Sequence, residues 1–279
     1  MSDYESWVQT PVAGPVEDDC RFCDIAVGHE RSLFDRAQPL GDGNVYITPT
    51  VGMMLPGYFL AVTRAHNTSF AQRGMAELAD TDYLLTRTEE ELNKHFRPYF
   101  RVEHGSDEIT ECGSGGCIVH AHQHLIPADE DVGEFIQEQL PWQQLDRYED
   151  ITEFQGAPYI YLGRAAMKGK ATRHYVVPNP QLPGQWVRRQ VAHVLGETVR
   201  ETYGERCFEE EIGDGDWLLH PAPLNLSLTM MLLRAVPRGR MSHTLGRREA
   251  DFQPSEDYKR PWGCQDWVNL DAASFFHLC

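Results

Sequence analysis

Residues 117–126 read CIVHAHQHLI, and this stretch constrains the fold most strongly because histidine recurs at every second position. Side chains of a β-strand point alternately to its two faces. A strand here therefore places His120, His122 and His124 on one face, roughly 6–7 Å apart along the strand. The chain has 12 histidines among 279 residues, so three on one strand face indicate a chemical site rather than ordinary packing.

A glycine-rich run, CGSGG, stands directly before this stretch. Two chemistries suit the three imidazoles. In the first, they chelate zinc with a water in the open coordination position, as in hydrolytic zinc sites. In the second, one imidazole attacks a phosphorus while its neighbours orient it and contact the phosphate oxygens. The run favours the second chemistry, because Gly115 and Gly116 let backbone N–H groups approach an anion closely.

The overall charge and composition limit the partners. The formal net charge is −17, and such a field repels a polyanion, so we expect no nucleic-acid partner. No apolar run approaches the roughly 18–20 residues of a membrane span, so we expect no membrane partner. Residues 1–19 are acidic and lack the basic and apolar regions of a signal peptide. With seven cysteines and no export signal, reduced thiols in the cytoplasm are the expectation.

The remaining pattern predicts an α+β fold. Apolar, β-branched and aromatic residues predict an antiparallel strand pair over 44–49 and 58–63, and a further strand over 99–105. Apolar residues at helical spacing predict a long amphipathic helix over 74–96. We expect these elements to form an antiparallel sheet covered by the long helix, with the histidine strand at the active face.

The chain divides into three expected regions. Residues 1–19 are expected to form a mobile acidic tail, and residues 20–145 a catalytic domain. Residues 146–279 are expected to form a C-terminal α/β extension that helps to shape the substrate pocket. In this extension APYIYL and HYVVP read as strands, residues 182–196 as a helix, and residues 224–236 as a helix or buried strand.

The segment HAHQHLI resembles the signature of the histidine triad (HIT) superfamily, His-φ-His-φ-His-φ-φ with φ apolar, and departs only at Gln123. The resemblance extends over roughly residues 20–128 and includes CRFC, PGYFLAVTRAH, the long helix and the glycine-rich run. It implies a HIT-like sheet and a small-molecule nucleotide substrate. Two further positions depart from the family pattern: Gly116 stands where many relatives have Gln, and Glu103 where they often have Asn.

The resemblance also assigns roles to the three histidines. It implies that His122 forms a nucleotidyl-histidine intermediate, that His124 contacts the phosphate and supports the leaving group, and that His120 orients the strand. The chemistry agrees, because a hydrogen bond on one nitrogen of a neutral imidazole makes the other nitrogen the nucleophile. Backbone N–H groups of Gly116 and Cys117 would hold the developing charge.

Three functions are compatible with this site. The first is hydrolysis at a nucleoside α-phosphate, which releases a nucleoside monophosphate. The second is nucleotidyl transfer through the same intermediate, and the third is a non-catalytic nucleotide-binding module. In galactose-1-phosphate uridylyltransferases of the same superfamily the third triad position is Gln, whereas this chain has His124. The resemblance therefore favours hydrolysis over transfer.

The residues Cys20 and Cys23 form a CxxC pair, which alone is weak evidence for a metal. Several relatives bind a structural zinc through such a pair together with a hairpin histidine and the first triad histidine. The resemblance therefore implies zinc at Cys20, Cys23, His66 and His120. Two thiolates and two imidazoles make a closed tetrahedral site, which would leave the other two triad histidines for catalysis.

Candidate substrate contacts lie outside the histidine strand. An apolar wall at Phe34 and Tyr46 would stack on any base. In LPGQWVRRQV, Gln185 and Arg188 lie at the start of a predicted helix, where a helix N-terminus and arginine side chains suit a phosphate. The alternative is a solvated surface helix. The resemblance also allows a homodimer.

Overall fold

The computed structural model describes most of the chain up to residue 194 and two short segments beyond it. The described residues are 3–29, 37–50, 57–93, 98–106, 119–128, 130–164, 172–182, 186–191, 193–194, 211–212 and 216–217. The predicted element at 224–236 lies outside the described residues.

Four α-helices have defined bounds among the described residues. They are α1 (Asp3–Val8), α2 (Arg21–Val27), α3 (Met75–Leu92) and α4 (Glu130–Glu138). Residues 186–191 are also helical, and two 3₁₀-helices span Phe70–Gln72 and Tyr148–Phe154. Helix α3 confirms the long helix predicted from the sequence. Within the described ranges, no helix is both long and apolar enough to cross a membrane.

Eight strands of the described residues form one sheet in which every neighbouring pair is antiparallel. The strands are β1 (Gln38–Leu40), β2 (Val45–Pro49), β3 (Phe59–Thr63), β4 (Tyr99–Gly105), β5 (His122–Pro127), β6 (Gln143–Leu145), β7 (Tyr159–Arg164) and β8 (Arg173–Pro178). Their order across the sheet is β1-β2-β3-β5-β4-β7-β8-β6. This architecture confirms the predicted α+β fold. A separate hairpin pairs β9 (Glu211–Ile212) with β10 (Asp216–Trp217).

The sheet continues across residue 146, where the C-terminal extension was expected to begin. Strand β7 pairs with β4 from Phe100↔Arg164 to Gly105↔Tyr159, and β8 pairs with β7 on its other side. Strand β5 lies between β3 and β4. Strands from the expected extension therefore complete the same sheet that holds the histidine strand.

Alternation along the strands gives the sheet two buried faces. On the first, which we call the α3 face, strand residues such as Phe59 and Leu125 pack against Leu85 of α3. On the second, which we call the histidine face, strand residues such as Val102 pack against Phe22 of α2. Because both faces are covered, every residue of the central strands β3, β4 and β5 is buried.

A buried ion pair connects α3 to β4. Arg101 is fully buried on the α3 face, and its Nε–H donates to Glu89 Oε1 at 2.5 Å. Its Nη1–H donates to Asp82 Oδ1 at 2.6 Å, and its Nη2–H donates to Thr86 Oγ1 at 2.8 Å. Since a buried guanidinium needs partners for its donors, these contacts fix the position of α3 on the sheet.

Helix α1 lies within the segment that was expected to be a mobile tail. Trp7 is buried, and its Nε1–H donates to the Gly43 carbonyl at 3.0 Å. The guanidinium of Arg64 lies 4.6 Å from the centroid of the Trp7 ring and donates to the Trp7 carbonyl at 2.8 Å. Burial of a large aromatic ring and its contact with a cation both stabilise this packing, so α1 is held against the sheet.

Candidate active site

The histidine strand begins later than the sequence predicts. Strand β5 starts at His122, and residues 117–118 lie outside the described residues. His120 lies in a bend before the strand, where the Ala121 N–H donates to the Asn67 carbonyl at 2.6 Å. The backbone at Ala121 is thus hydrogen-bonded to the segment that follows β3. This contact takes the place of regular strand pairing before His122.

A cluster of potential metal ligands surrounds His120. One ligand atom from each of four residues lies within 4.8 Å of the others, and these are Cys20, Cys23, His66 and His120. His120 Nδ1 lies 3.2 Å from Cys20 Sγ, and His66 Nδ1 lies 3.4 Å from Cys23 Sγ. Cys20 precedes α2, Cys23 lies in its first turn, and His66 follows β3. The structure therefore brings together the four residues expected to bind zinc.

The surroundings of this cluster suit a metal ion. His120 Nε2–H donates to the Thr63 carbonyl at 2.8 Å, and His66 Nε2 lies 3.4 Å from a Glu17 carboxylate oxygen. Such contacts on the outer nitrogen orient metal-binding imidazoles. Burial raises the pKa of the Cys23 thiol to about 12, so its thiolate requires a nearby cation. The four residues could hold a divalent metal ion.

The backbone fixes one ring nitrogen of His122. Nδ1 lies 2.7 Å from the carbonyl oxygen of His120. A carbonyl oxygen only accepts hydrogen bonds, so Nδ1 carries the proton of the neutral ring and Nε2 has the free lone pair. Burial lowers the pKa of His122, which keeps the ring neutral at pH 7. Nε2 of His122 is therefore a nucleophilic atom.

His124 has a side-chain partner instead. Its Nδ1 lies 2.7 Å from Tyr58 Oη, and its ring centroid lies 5.1 Å from that of His122. Burial, with smaller effects from the charges of His122, His104 and Arg188, lowers the pKa of His124 well below its usual value. The ring is therefore neutral at pH 7. Because Nδ1 is engaged, Nε2 is the nitrogen that remains for a substrate.

Two further aromatic rings lie beside the histidines. The Phe22 centroid is 5.5 Å from that of His120 and 5.3 Å from that of His122, so α2 packs against both rings. The His104 centroid is 6.1 Å from that of His124. A fourth histidine therefore lies beside the triad, on the neighbouring strand β4.

The substrate contacts expected from the sequence fall in different places. Tyr46 is fully buried in the core, where its Oη–H donates to the Phe22 carbonyl at 3.0 Å. Arg188 lies in the helical segment 186–191, and its charge acts on both His124 and Tyr58. The remaining expected contacts lie outside the described residues: Phe34, Gly115, Gly116, Cys117 and Gln185.

Two departures from the family pattern, Glu103 and Gln123, contact each other on the α3 face. They are opposite in the register of β4 and β5, and Gln123 Nε2–H donates to Glu103 Oε2 at 3.3 Å. Glu103 Oε1 accepts the Phe70 N–H at 2.7 Å. Burial raises the pKa of Glu103 to about 7. Both side chains therefore lie on the α3 face of the sheet, opposite the histidine face.

Sequence reasoning missed Tyr58 and His104. The period of two along β4 and its antiparallel pairing with β5 place His104 on the histidine face, so this residue had a usable signal. Tyr58 immediately precedes β3, and its contact with His124 follows from the register of β3 against β5, in which Leu60 is opposite His124. No local pattern specifies that register.

Comparisons with known proteins give partial structural likenesses. No protein-family model and no curated protein matches the chain. An ADP-glucose phosphorylase from Arabidopsis thaliana is 9% identical with a TM-score of 0.40, and the match covers 64% of this chain and 84% of that one. A zinc-bound histidine triad family protein from Mycobacterium smegmatis is 15% identical with a TM-score of 0.32, over 48% and 88%.

A HIT family hydrolase from Clostridium thermocellum is 16% identical with a TM-score of 0.30, over 41% of this chain and 95% of that one. Each of these matches covers part of this chain and most of the other protein. Two of these three proteins carry in their own names the family name that the histidine motif of this chain resembles.

Proposed function

We propose that the protein is a nucleotide hydrolase of the histidine triad type, which cleaves a phosphoanhydride, phosphoramidate or phosphodiester bond at a nucleoside α-phosphate. The observation that carries this proposal is the 2.7 Å contact between His122 Nδ1 and the His120 carbonyl. It leaves Nε2 of a buried, neutral imidazole unprotonated, which is the state required of a covalent nucleophile.

The reaction has two steps. Nε2 of His122 attacks the α-phosphorus, the N–P bond forms, and the bond from phosphorus to the leaving group breaks. The leaving group departs beside the Nε2–H group of neutral His124, which donates a hydrogen bond to it, and it takes its proton from solvent. Water then attacks the same phosphorus and loses a proton to solvent, the N–P bond breaks with its electron pair returning to Nε2 of His122, and a nucleoside monophosphate is released.

One positively charged residue acts on the triad and supports a phosphate substrate. Arg188 is close enough to act electrostatically on His124, and a guanidinium suits the charge that develops on phosphate oxygens. We propose the backbone N–H groups of Gly116 and Cys117 as further donors, because the glycine-rich run precedes the histidine strand in the sequence.

We propose a structural zinc ion at Cys20, Cys23, His66 and His120. This ion would connect the start of α2, the end of β3 and the bend before β5, because its ligands come from those three segments. Zinc would supply a closed cross-link there and would take no part in the reaction. His122 and His124 are thereby left for catalysis.

The experiment is to incubate the protein with nucleoside polyphosphates, dinucleotides, nucleotide sugars and nucleoside phosphoramidates, and to identify the products by mass spectrometry. Release of a nucleoside monophosphate in water supports hydrolysis. Transfer of the nucleotidyl group to an added phosphate or sugar phosphate, with little hydrolysis, would assign the protein as a transferase instead.

Replacement of His122 tests the covalent step. His122→Gly should abolish turnover while binding of the nucleotide product persists. A His124 substitution should slow the reaction by about 10²–10⁴. Alkaline quenching and peptide mass spectrometry should find a nucleotidyl adduct on residues 117–126 of the wild type, absent from H122G. A matched control is His174→Gln, since His174 is buried away from the triad. Near-normal turnover in H122G would refute the mechanism.

A further inference from the structure

Tyr58 is the only hydrogen-bond partner of the His124 ring among the described residues. Its Oη lies 2.7 Å from His124 Nδ1, and the two ring centroids are 5.7 Å apart. The Tyr58 side chain is fully buried, and within the described part of the chain its hydroxyl has no second partner.

The direction of this hydrogen bond follows from the needs of the hydroxyl. Burial raises the pKa of Tyr58, so the phenol retains its proton near neutral pH and requires an acceptor. The unprotonated Nδ1 of a neutral imidazole is such an acceptor. If Nδ1–H donated instead, the buried Tyr58 proton would have no acceptor among the described residues. The O–H group therefore donates to Nδ1.

We infer that Tyr58 is a positioning residue that fixes His124 as its Nε2–H tautomer, so that neighbouring histidines reach the substrate in opposite protonation states. His122 presents Nε2 with a free lone pair, because its Nδ1–H donates to the His120 carbonyl. His124 presents Nε2–H, because Tyr58 occupies its Nδ1. The chemical use of this difference rests on the proposed function, whereas the tautomer itself does not.

The opposite tautomers separate the two tasks of the first chemical step. Attack on phosphorus needs a lone pair, and the negative charge that develops on the leaving group is stabilised by a hydrogen-bond donor. If Nε2 were protonated on both His122 and His124, no lone pair would be available for attack. If neither Nε2 were protonated, the leaving group would have no hydrogen-bond donor from this pair. The two ring centroids are 5.1 Å apart, so both groups can contact one phosphate and its leaving group.

The tautomer can be read directly by nuclear magnetic resonance. Protein labelled with nitrogen-15 histidine, at pH 7.5, gives long-range correlations that distinguish a protonated from an unprotonated ring nitrogen, with His124→Gln used for assignment. We expect His124 to show protonated Nε2 and unprotonated, hydrogen-bonded Nδ1. A His124 ring protonated on Nδ1 in the wild type would overturn the inference without any substitution.

The substitution Tyr58→Phe removes the hydroxyl and keeps the ring. We expect its His124 Nδ1 signal to move to that of a nitrogen without a hydrogen bond, or to average between tautomers. The turnover number should fall roughly tenfold with KM nearly unchanged, as expected for loss of about one buried hydrogen bond. An unchanged signal and an unchanged turnover number in Y58F would overturn the role of Tyr58.

The protein contains a matched control for this variant. Tyr161 is also fully buried, and its Oη lies 2.8 Å from Nδ1 of His174 on the α3 face. Tyr161→Phe should change the His174 signals and leave those of His124 and the turnover number as in the wild type. If no nucleotide is turned over by any form, the proposed function fails, and the spectra still decide the tautomer.

Discussion

Glu103 is a buried carboxyl group whose titration should govern part of the stability of this protein. Burial disfavours the carboxylate and raises the pKa from 4.5 to about 7, although hydrogen bonds from the Phe70 N–H, Tyr159 and Gln123 favour the charged form. The folded chain therefore binds this proton more tightly than the unfolded chain does. The resulting stabilisation is complete below about pH 4.5 and is lost as the pH rises to about 7.

The magnitude follows from the size of this shift. A pKa raised from 4.5 to about 7 corresponds to about 3 kcal/mol between the two ends of the range. Glu103→Gln preserves the side-chain volume and stays neutral at every pH. The free energy of unfolding of E103Q, minus that of the wild type, should therefore rise by up to about 3 kcal/mol between pH 4.5 and pH 8.

Urea denaturation at intervals of half a pH unit, at constant zinc concentration, measures this difference. Subtraction at each pH removes the contributions of groups that both proteins share. Glu90→Gln on α3 is the control for the loss of one carboxylate at an exposed position. A difference between E103Q and the wild type that stays constant from pH 4.5 to pH 8 would show that burial does not perturb Glu103.

Two further predictions concern the metal ligands and the ion pair on the α3 face. Cys23→Ser should lower the zinc content, measured by elemental analysis, from about one ion per chain, and should lower the stability because metal binding is coupled to folding; Cys207→Ser, outside the proposed ligand set, should retain the ion. Arg101→Met should lower the free energy of unfolding by about 3–5 kcal/mol, because it leaves the buried carboxylate of Glu89 without its partner; a loss below about 1 kcal/mol in urea denaturation would contradict this.

The features that the sequence predicts well are those with a local period. Alternation predicts that His122 and His124 share a strand face, and both lie on the histidine face. The β2–β3 pair and helix α3 follow from hydrophobic patterns of the same local kind. A period of two or of 3.6 residues is set by backbone geometry, so it is visible in a short stretch of sequence.

Other features depend on contacts between distant parts of the chain. Cys20 and His120 are 100 residues apart yet lie 3.2 Å apart in the structure, and only a family resemblance suggested their meeting. The contact of Trp7 with Gly43 and the contact of Tyr58 with His124 likewise join residues that are distant in the sequence. Register and helix docking decide these contacts, and both are set by the free energy of the whole core.

The position of β5 between two paired strands has a consequence for motion. Its neighbours β3 and β4 satisfy its backbone on both sides, and all of its residues are buried. Amide hydrogens on such a strand exchange with solvent only when much of the structure opens. The amide of His124 should therefore exchange among the slowest in the protein, and under the proposed function the nucleophilic nitrogen would lie on a strand that keeps its position while substrate and product exchange.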